Sequence, residues 1–168
     1  ILVGHGSTLN PDSSAPTHLH ADAIREKGIF GQVLTAFWKE EPGLSGVLRG
    51  AMHERVYIVP FFISEGYFTE DVIPREMGFP KNEAGEYEQV LHKGDQEVIY
   101  CGPVGTHESM TEVLLSRARG GVEQYPFPSK PEARETTLFI AGHGTGNNQN
   151  SRKAIEHQVD LIRERGEY

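Results

Sequence analysis

Residues 56–63 constrain this chain more than any other stretch. Val56, Tyr57, Ile58, Val59, Pro60, Phe61, Phe62 and Ile63 run together without a charge. A strand that is apolar on both faces must be covered on both. That need is met in the middle of a parallel sheet with helices packed on its two sides. The expected fold is therefore α/β, and the neighbouring segments are read against it.

A second feature narrows the expectation. Leu2 and Val3 lead into Gly4, His5, Gly6 and Ser7, and far downstream Leu138–Ala141 leads into Gly142, His143, Gly144 and Thr145. Each copy is an apolar run that ends at Gly-His-Gly followed by a hydroxyl residue. Glycines on both sides let the backbone turn sharply and place the histidine at a strand end. A four-residue frame repeated in matching contexts reads as internal duplication.

The rest of the chain fits the same order. A helix is expected after Ser13 or Ser14, with Pro16 in its first turn, a buried face of Leu19, Ala23 and Ile24, and a stop at Lys27 and Gly28. Residues 32–37 read as a strand, and a helix with Leu44, Val47, Leu48 and Ala51 on one side follows Pro42. Thr69 can cap a helix led by Glu70 and Asp71, which Pro74 should keep short or kinked. Residues 87–92 and 97–104 flank the turn at Lys93, Gly94 and Asp95 as a hairpin. Thr106 opens a helix expected to bury Met110, Val113, Leu114 and Ala118, and a last helix carries Ile155, Val159 and Ile162.

The fold class expected is α/β, an open and mainly parallel sheet flanked by helices, with a small antiparallel hairpin insertion. Residues 1–125 form one unit and the proline-bounded stretch 126–135 a linker. Residues 136–168 read as the first strand and helix of a second, similar unit. The chain opens at Ile1 rather than a methionine, as a segment of a longer protein would.

Composition removes several function classes. A formal charge of −8 argues against a general nucleic-acid partner, since neutralising phosphates needs clustered Lys and Arg, and any polyanionic ligand needs a local basic patch. No apolar run approaches the ~20 residues that span a bilayer, and no signal peptide is read, so no membrane partner is expected. Cys101 is the only cysteine, which excludes an internal disulfide framework and a paired-thiol metal site. It reads as a structural thiol, and a lone thiol suits a cytoplasmic location. The glycine turns match neither the dinucleotide fingerprint nor the P-loop, so no nucleotide cofactor is expected.

In open parallel sheets ligands gather outside the carboxyl ends of the strands. Applied here, that rule selects His5, Glu65, His107 and His143. Imidazoles with a carboxylate nearby suit a divalent transition metal and also serve as general bases near neutral pH. The blander alternative is a hydrogen-bonded loop residue, and His107 reads equally as part of the first turn of its helix.

These residues resemble those of the CbiX-type class II tetrapyrrole chelatases, the family of sirohydrochlorin cobaltochelatases and ferrochelatases. The resemblance rests on residues 2–7, on Val33 with Ala36 and Phe37, on residues 41–44, on residues 59–66 with Ile73 and Pro74, and on residues 103–107. It implies two similar α/β halves facing a cleft and ATP-independent insertion of cobalt or ferrous iron, the metal being a substrate, into sirohydrochlorin or a related tetrapyrrole. Such an enzyme would serve cobalamin or siroheme biosynthesis. His5 matches the family's first metal histidine. The second lies two residues after the glycine corresponding to Gly66, where this chain has Phe68. The substitution leaves the two-histidine site one ligand short, and Glu65, Glu70, His107 or His143 could replace it.

His143 is the favoured partner of His5, because the repeat would bring it to the cleft. Arg75, Arg152 and Lys153 are candidates for the substrate carboxylates, with solvated helix-end cations as the alternative. The expected partners are a tetrapyrrole and either a second copy in a homodimer or the remaining half of a longer chain. The competing function is a non-catalytic module that binds metal or tetrapyrrole. A histidine phosphatase ranks below both, because glycines stand where that chemistry wants an arginine beside the histidine.

Overall fold

A computed structural model describes residues 1–126, 128–142 and 149–168. The chain divides into two compact units, Ile1–Val104 and Gly105–Tyr168.

The first unit is built on one five-stranded sheet in the order β2-β1-β3-β5-β4. Its strands are β1 (Leu2–Gly4), β2 (Thr35–Phe37), β3 (Arg55–Pro60), β4 (Val90–Lys93) and β5 (Gln96–Tyr100). β1, β2, β3 and β5 run parallel, and β4 closes the edge as the antiparallel arm of the hairpin. The run that defined the expectation is central, with β1 on one side and β5 on the other. Val3 pairs with Ala36 of β2 and Pro60 of β3, and Ile58 pairs with Tyr100.

Alternation along β3 sets the core. Val56 and Ile58 point into a cluster with Leu44, Val47, Ile73, Met77 and Val98, all buried. Three short helices belong to this unit: α1 (Ala15–Glu26), α2 (Leu44–Val47) and α3 (Ile73–Met77). α1 packs on the opposite side, where Leu2, Ala21 and Val33 meet Ile24 and Phe61.

The face of α1 differs from the expected one. Thr17 and Ala21 are buried, whereas Leu19 is 69% exposed. The helix crosses close to the end of β1, and only small side chains fit there. A β-carbon built on Gly4 would stand 2.8 Å from Thr17 Oγ1. The element around Pro74 is short, as expected, but it runs past the proline, which stands in the first turn of α3. A π-helical turn, Phe68–Val72, runs directly into the five residues of α3. Thr69 fixes its start, accepting from Gly66 N–H at 3.0 Å and donating to Gly66 O at 3.1 Å.

The second unit pairs α4 (Met110–Gln124) with α5 (Asn150–Arg165). α4 buries Thr111 and Leu115, while Val113 is half exposed. Thr111 donates to Gln158 Oε1 at 2.7 Å, so two polar side chains satisfy each other where apolar ones were expected. Arg119 grips Glu167 with two hydrogen bonds of 2.6 and 2.5 Å and also reaches Glu112, which Arg165 shares. Residues 136–142, expected as the first strand of the repeat, belong to no strand among the described residues. A strand forms only when a neighbour offers a ladder to pair with, and none of the described residues pairs with this stretch.

Candidate functional site

The carboxyl ends of β1, β2 and β3 build the site. The chain leaves β1 for β2 on one side and returns to β3 on the other, so His5 stands at the point where the winding reverses. That position is where doubly wound sheets hold ligands.

Two glycines fix the histidine. Gly4 has no room for a side chain, since a β-carbon would meet the buried Phe37 ring at 2.9 Å as well as Thr17. Gly6 has φ +68°, and its missing β-carbon would lie 2.8 Å from Glu40 Cγ and 3.0 Å from Phe37 Cβ. Placing an L side chain in this region costs about 1–2 kcal/mol before any clash. Ser7 completes the frame as a loop cap. Its hydroxyl accepts from Leu9 N–H and Asn10 N–H, both at 3.1 Å.

The imidazole of His5 is exposed, and its Nδ1 lies 2.7 Å from Gly6 O. A carbonyl oxygen only accepts, so Nδ1 carries the proton and Nε2 keeps a lone pair. An imidazole tied at Nδ1 by a backbone carbonyl is the form that binds a metal ion or takes up a proton.

Aromatic rings surround it. His5 makes edge contacts with Trp38 at 5.3 Å and Phe68 at 4.8 Å, and these two rings meet each other at 5.0 Å. Phe62 stacks on Phe68 at 6.0 Å, and Tyr67 touches it at 5.6 Å. Phe68, two residues after Gly66, is therefore packed directly against His5. Trp38 is 37% exposed and Tyr67 62%.

A cation stands at each end of this aromatic row. Lys39 Nζ lies 3.6 Å over the Trp38 ring, a contact worth about 0.5–1 kcal/mol at an exposed site. Its own backbone N–H donates to His5 O at 2.9 Å, which ties the end of β2 to the histidine. Among the described residues no carboxylate lies within ion-pair distance of Lys39. At the other end Tyr67 adjoins Arg75, whose guanidinium is held charged by that hydroxyl and by Asp71.

The other residues expected at the site are placed as follows. Glu65 is exposed and lines a cavity of about 500 Å³ with Glu70, Tyr87, Tyr100 and Cys101. Burial pushes the Cys101 thiol up from its ordinary value, which suits a structural cysteine rather than a nucleophile. Burial also raises Tyr100, whose hydroxyl donates to Thr69 O at 2.7 Å. His107 belongs to the second unit, and Ser109 N–H donates to its Nδ1 at 3.2 Å. A backbone N–H only donates, so the lone pair of His107 Nδ1 is spent on the entry to α4.

His143 lies outside the described residues. Arg75 pairs with Asp71 at 2.5 Å and Arg152 with Glu156 at 2.7 Å, and Lys153 is exposed in the first turn of α5. Among the described residues no three His, Cys, Asp or Glu side chains gather to cage a metal ion. No described helix is long and apolar enough to cross a membrane.

Trp38, Lys39 and Tyr67 escape a reading that looks for imidazoles and acids alone. The strand-end rule itself points to Trp38 and Lys39, which follow β2 directly.

The CbiX family profile matches residues 1–120. Over 99% of its length the chain is 47% identical to a protein of Halobacterium salinarum described as a probable sirohydrochlorin cobaltochelatase. It covers 59% of that relative, so it spans rather less than two thirds of the relative's length. A sirohydrochlorin cobaltochelatase of Methanococcus aeolicus is 28% identical over 71% of this chain and 96% of its own. Among solved structures, a multi-domain protein of Deinococcus radiodurans, described as similar to chelatases with two additional novel domains, superposes with a TM-score of 0.75. It is 31% identical, and the match covers 99% of this chain and 36% of that one. With most of its length inside the family profile and nearly half its residues shared with a relative along almost all of it, the chain belongs to the CbiX family.

Proposed function

We propose that this chain inserts cobalt into sirohydrochlorin without a nucleotide, with His5 as the group that contacts the metal or the pyrrole protons. One observation carries the reading. At the β1/β3 carboxyl edge the tie from Nδ1 to Gly6 O leaves His5 Nε2 with its lone pair at an exposed position.

The chemistry asks little more of the protein. A divalent ion entering the macrocycle displaces two pyrrole protons, and an imidazole beside the ring takes each in turn and passes it to water. Apolar rings around that imidazole suit a conjugated macrocycle, and cations nearby suit its carboxylates. Cobalt as the metal follows the descriptions of the two relatives. Ferrous iron, and with it siroheme, is the alternative substrate for the same coordination chemistry.

We also propose His143 as the counterpart of His5, contributed by a repeated unit that begins at residue 136. The local packing of the two copies supports this. Gly4 abuts Thr17 of α1, and Gly142 abuts Ile155 of α5, where a β-carbon would stand 2.7 Å from Ile155 Cγ1. The helix residue lies at the same distance along the chain from its glycine in both copies. Glu65 and His107 are weaker candidates as ligands, and Arg152 and Lys153 as carboxylate anchors.

Phe68 supports a second reading, a module that binds metal or tetrapyrrole without inserting one into the other. Absorbance spectra of sirohydrochlorin mixed with cobalt(II) and this chain separate the two. Catalysed insertion gives the metallated spectrum at a rate proportional to protein. Saturable binding with only the uncatalysed insertion rate would establish the module instead.

A further inference from the structure

The row from Lys39 through Trp38, Phe68 and Tyr67 to Arg75 is not explained by the need for a metal ligand. It combines exposed ring surface with a cation at each end, beside the His5 imidazole, whose Nε2 keeps its lone pair. A buried cluster would not leave Tyr67 62% exposed, and a purely solvated lysine would not lie on an indole face. Conjugated ligands stack on such rings, and carboxylates seek such cations.

We infer that Trp38 and Lys39 are positioning residues for the macrocycle: the conjugated ring replaces Lys39 on the Trp38 face, and the displaced ammonium pairs with a ring carboxylate. The inference rests on the tetrapyrrole reading of the site.

Several observations fit the exchange. The Lys39 backbone is held by His5 O, so its Cα stays beside the site while its long side chain is free to swing. Its ammonium leaves a weak cation–π contact for a charge-assisted hydrogen bond, which is the stronger interaction. Arg75, held by Asp71 and Tyr67, is the more static cation of the two. Phe68 then has a purpose that a histidine would not serve, since it continues the apolar surface from Trp38 to Tyr67.

The test uses the whole chain with sirohydrochlorin and cobalt(II), comparing Lys39→Ala, Trp38→Ala and Trp38→Phe. Loss of one stacking face or one ion pair should raise KM for sirohydrochlorin about 5- to 20-fold and leave kcat within about threefold. Trp38→Phe should recover most of the loss, because a phenyl ring still offers a stacking face. Lys39→Ala should also flatten the salt dependence of KM, which a merely structural role would not do. Lys39 is exposed and outside the core, so this variant keeps the test decisive if Trp38→Ala folds poorly.

Metallation by the parent chain with unchanged KM and salt dependence in Lys39→Ala would overturn the inference and leave the chelatase reading intact. Failure of the parent chain to bind sirohydrochlorin at all would overturn both.

Discussion

His5 directly follows β1 and His107 stands in the loop between β5 and α4, yet the nitrogens of these two loop histidines are used in opposite ways. His5 donates its Nδ1–H to a carbonyl, which leaves the lone pair on Nε2. His107 accepts a backbone N–H at Nδ1 and spends its lone pair on starting a helix. The difference comes from the backbone partner, a C=O in one loop and an N–H in the other. Candidate histidines at strand ends are therefore sorted by what faces Nδ1, and residue type alone does not sort them.

Substitutions sharpen this contrast in a definite order. His5→Ala should reduce sirohydrochlorin metallation by about 100-fold or more, the usual contribution of a positioned base, with little change in melting temperature. Gly6→Ala comes next. Its φ of +68° and the nearby Glu40 and Phe37 atoms should cost about 1–3 kcal/mol in chemical denaturation, with a further loss of activity as Nδ1 loses its carbonyl. His107→Ala should leave metallation within about threefold and cost roughly 0.5–1 kcal/mol, as other helix-start caps do. Equal losses of activity in His5→Ala and His107→Ala would break the comparison.

The smallest effect concerns acid. Hydrogen bonds from Arg119 hold the Glu112 and Glu167 carboxyls below their ordinary value. A carboxyl depressed in the folded state stabilises above its unfolded pKa, and that contribution is lost as pH falls through the depressed value. The α4–α5 pairing should thus loosen below about pH 4, the ordinary glutamate range, measured as faster amide exchange in α5. Both carboxylates are solvated, so added salt should reduce the effect. Unchanged exchange across that range would remove the clasp from the account.

Much of the fold was legible in the sequence, because patterns of apolar residues report burial directly. Residues 56–60 of the continuous apolar run lie in the central parallel strand, although Tyr57 stays exposed there, and Gly94 marks the hairpin. Helix faces were less legible. Thr17 and Thr111 are buried and Leu19 is not, since close approach to a strand end or a partner amide decided those positions. At the candidate site, the glycines around His5 marked a strand end, and the strand-end rule pointed to the same carboxyl edge of the sheet. The contacts of the Trp38 and Tyr67 rings with His5 and Phe68 were not legible, because they run across loops that no local pattern records.

The central claim is that His5 Nε2 is the free nitrogen and the one a metal meets. Nitrogen-resolved imidazole NMR of the chain, with cobalt(II) added stepwise, tests it most directly. His5 should be found protonated at Nδ1, and its Nε2 signal should broaden at the lowest cobalt concentrations while His107 is unaffected. A His5 protonated at Nε2, or a His107 signal that broadens first, would contradict the account.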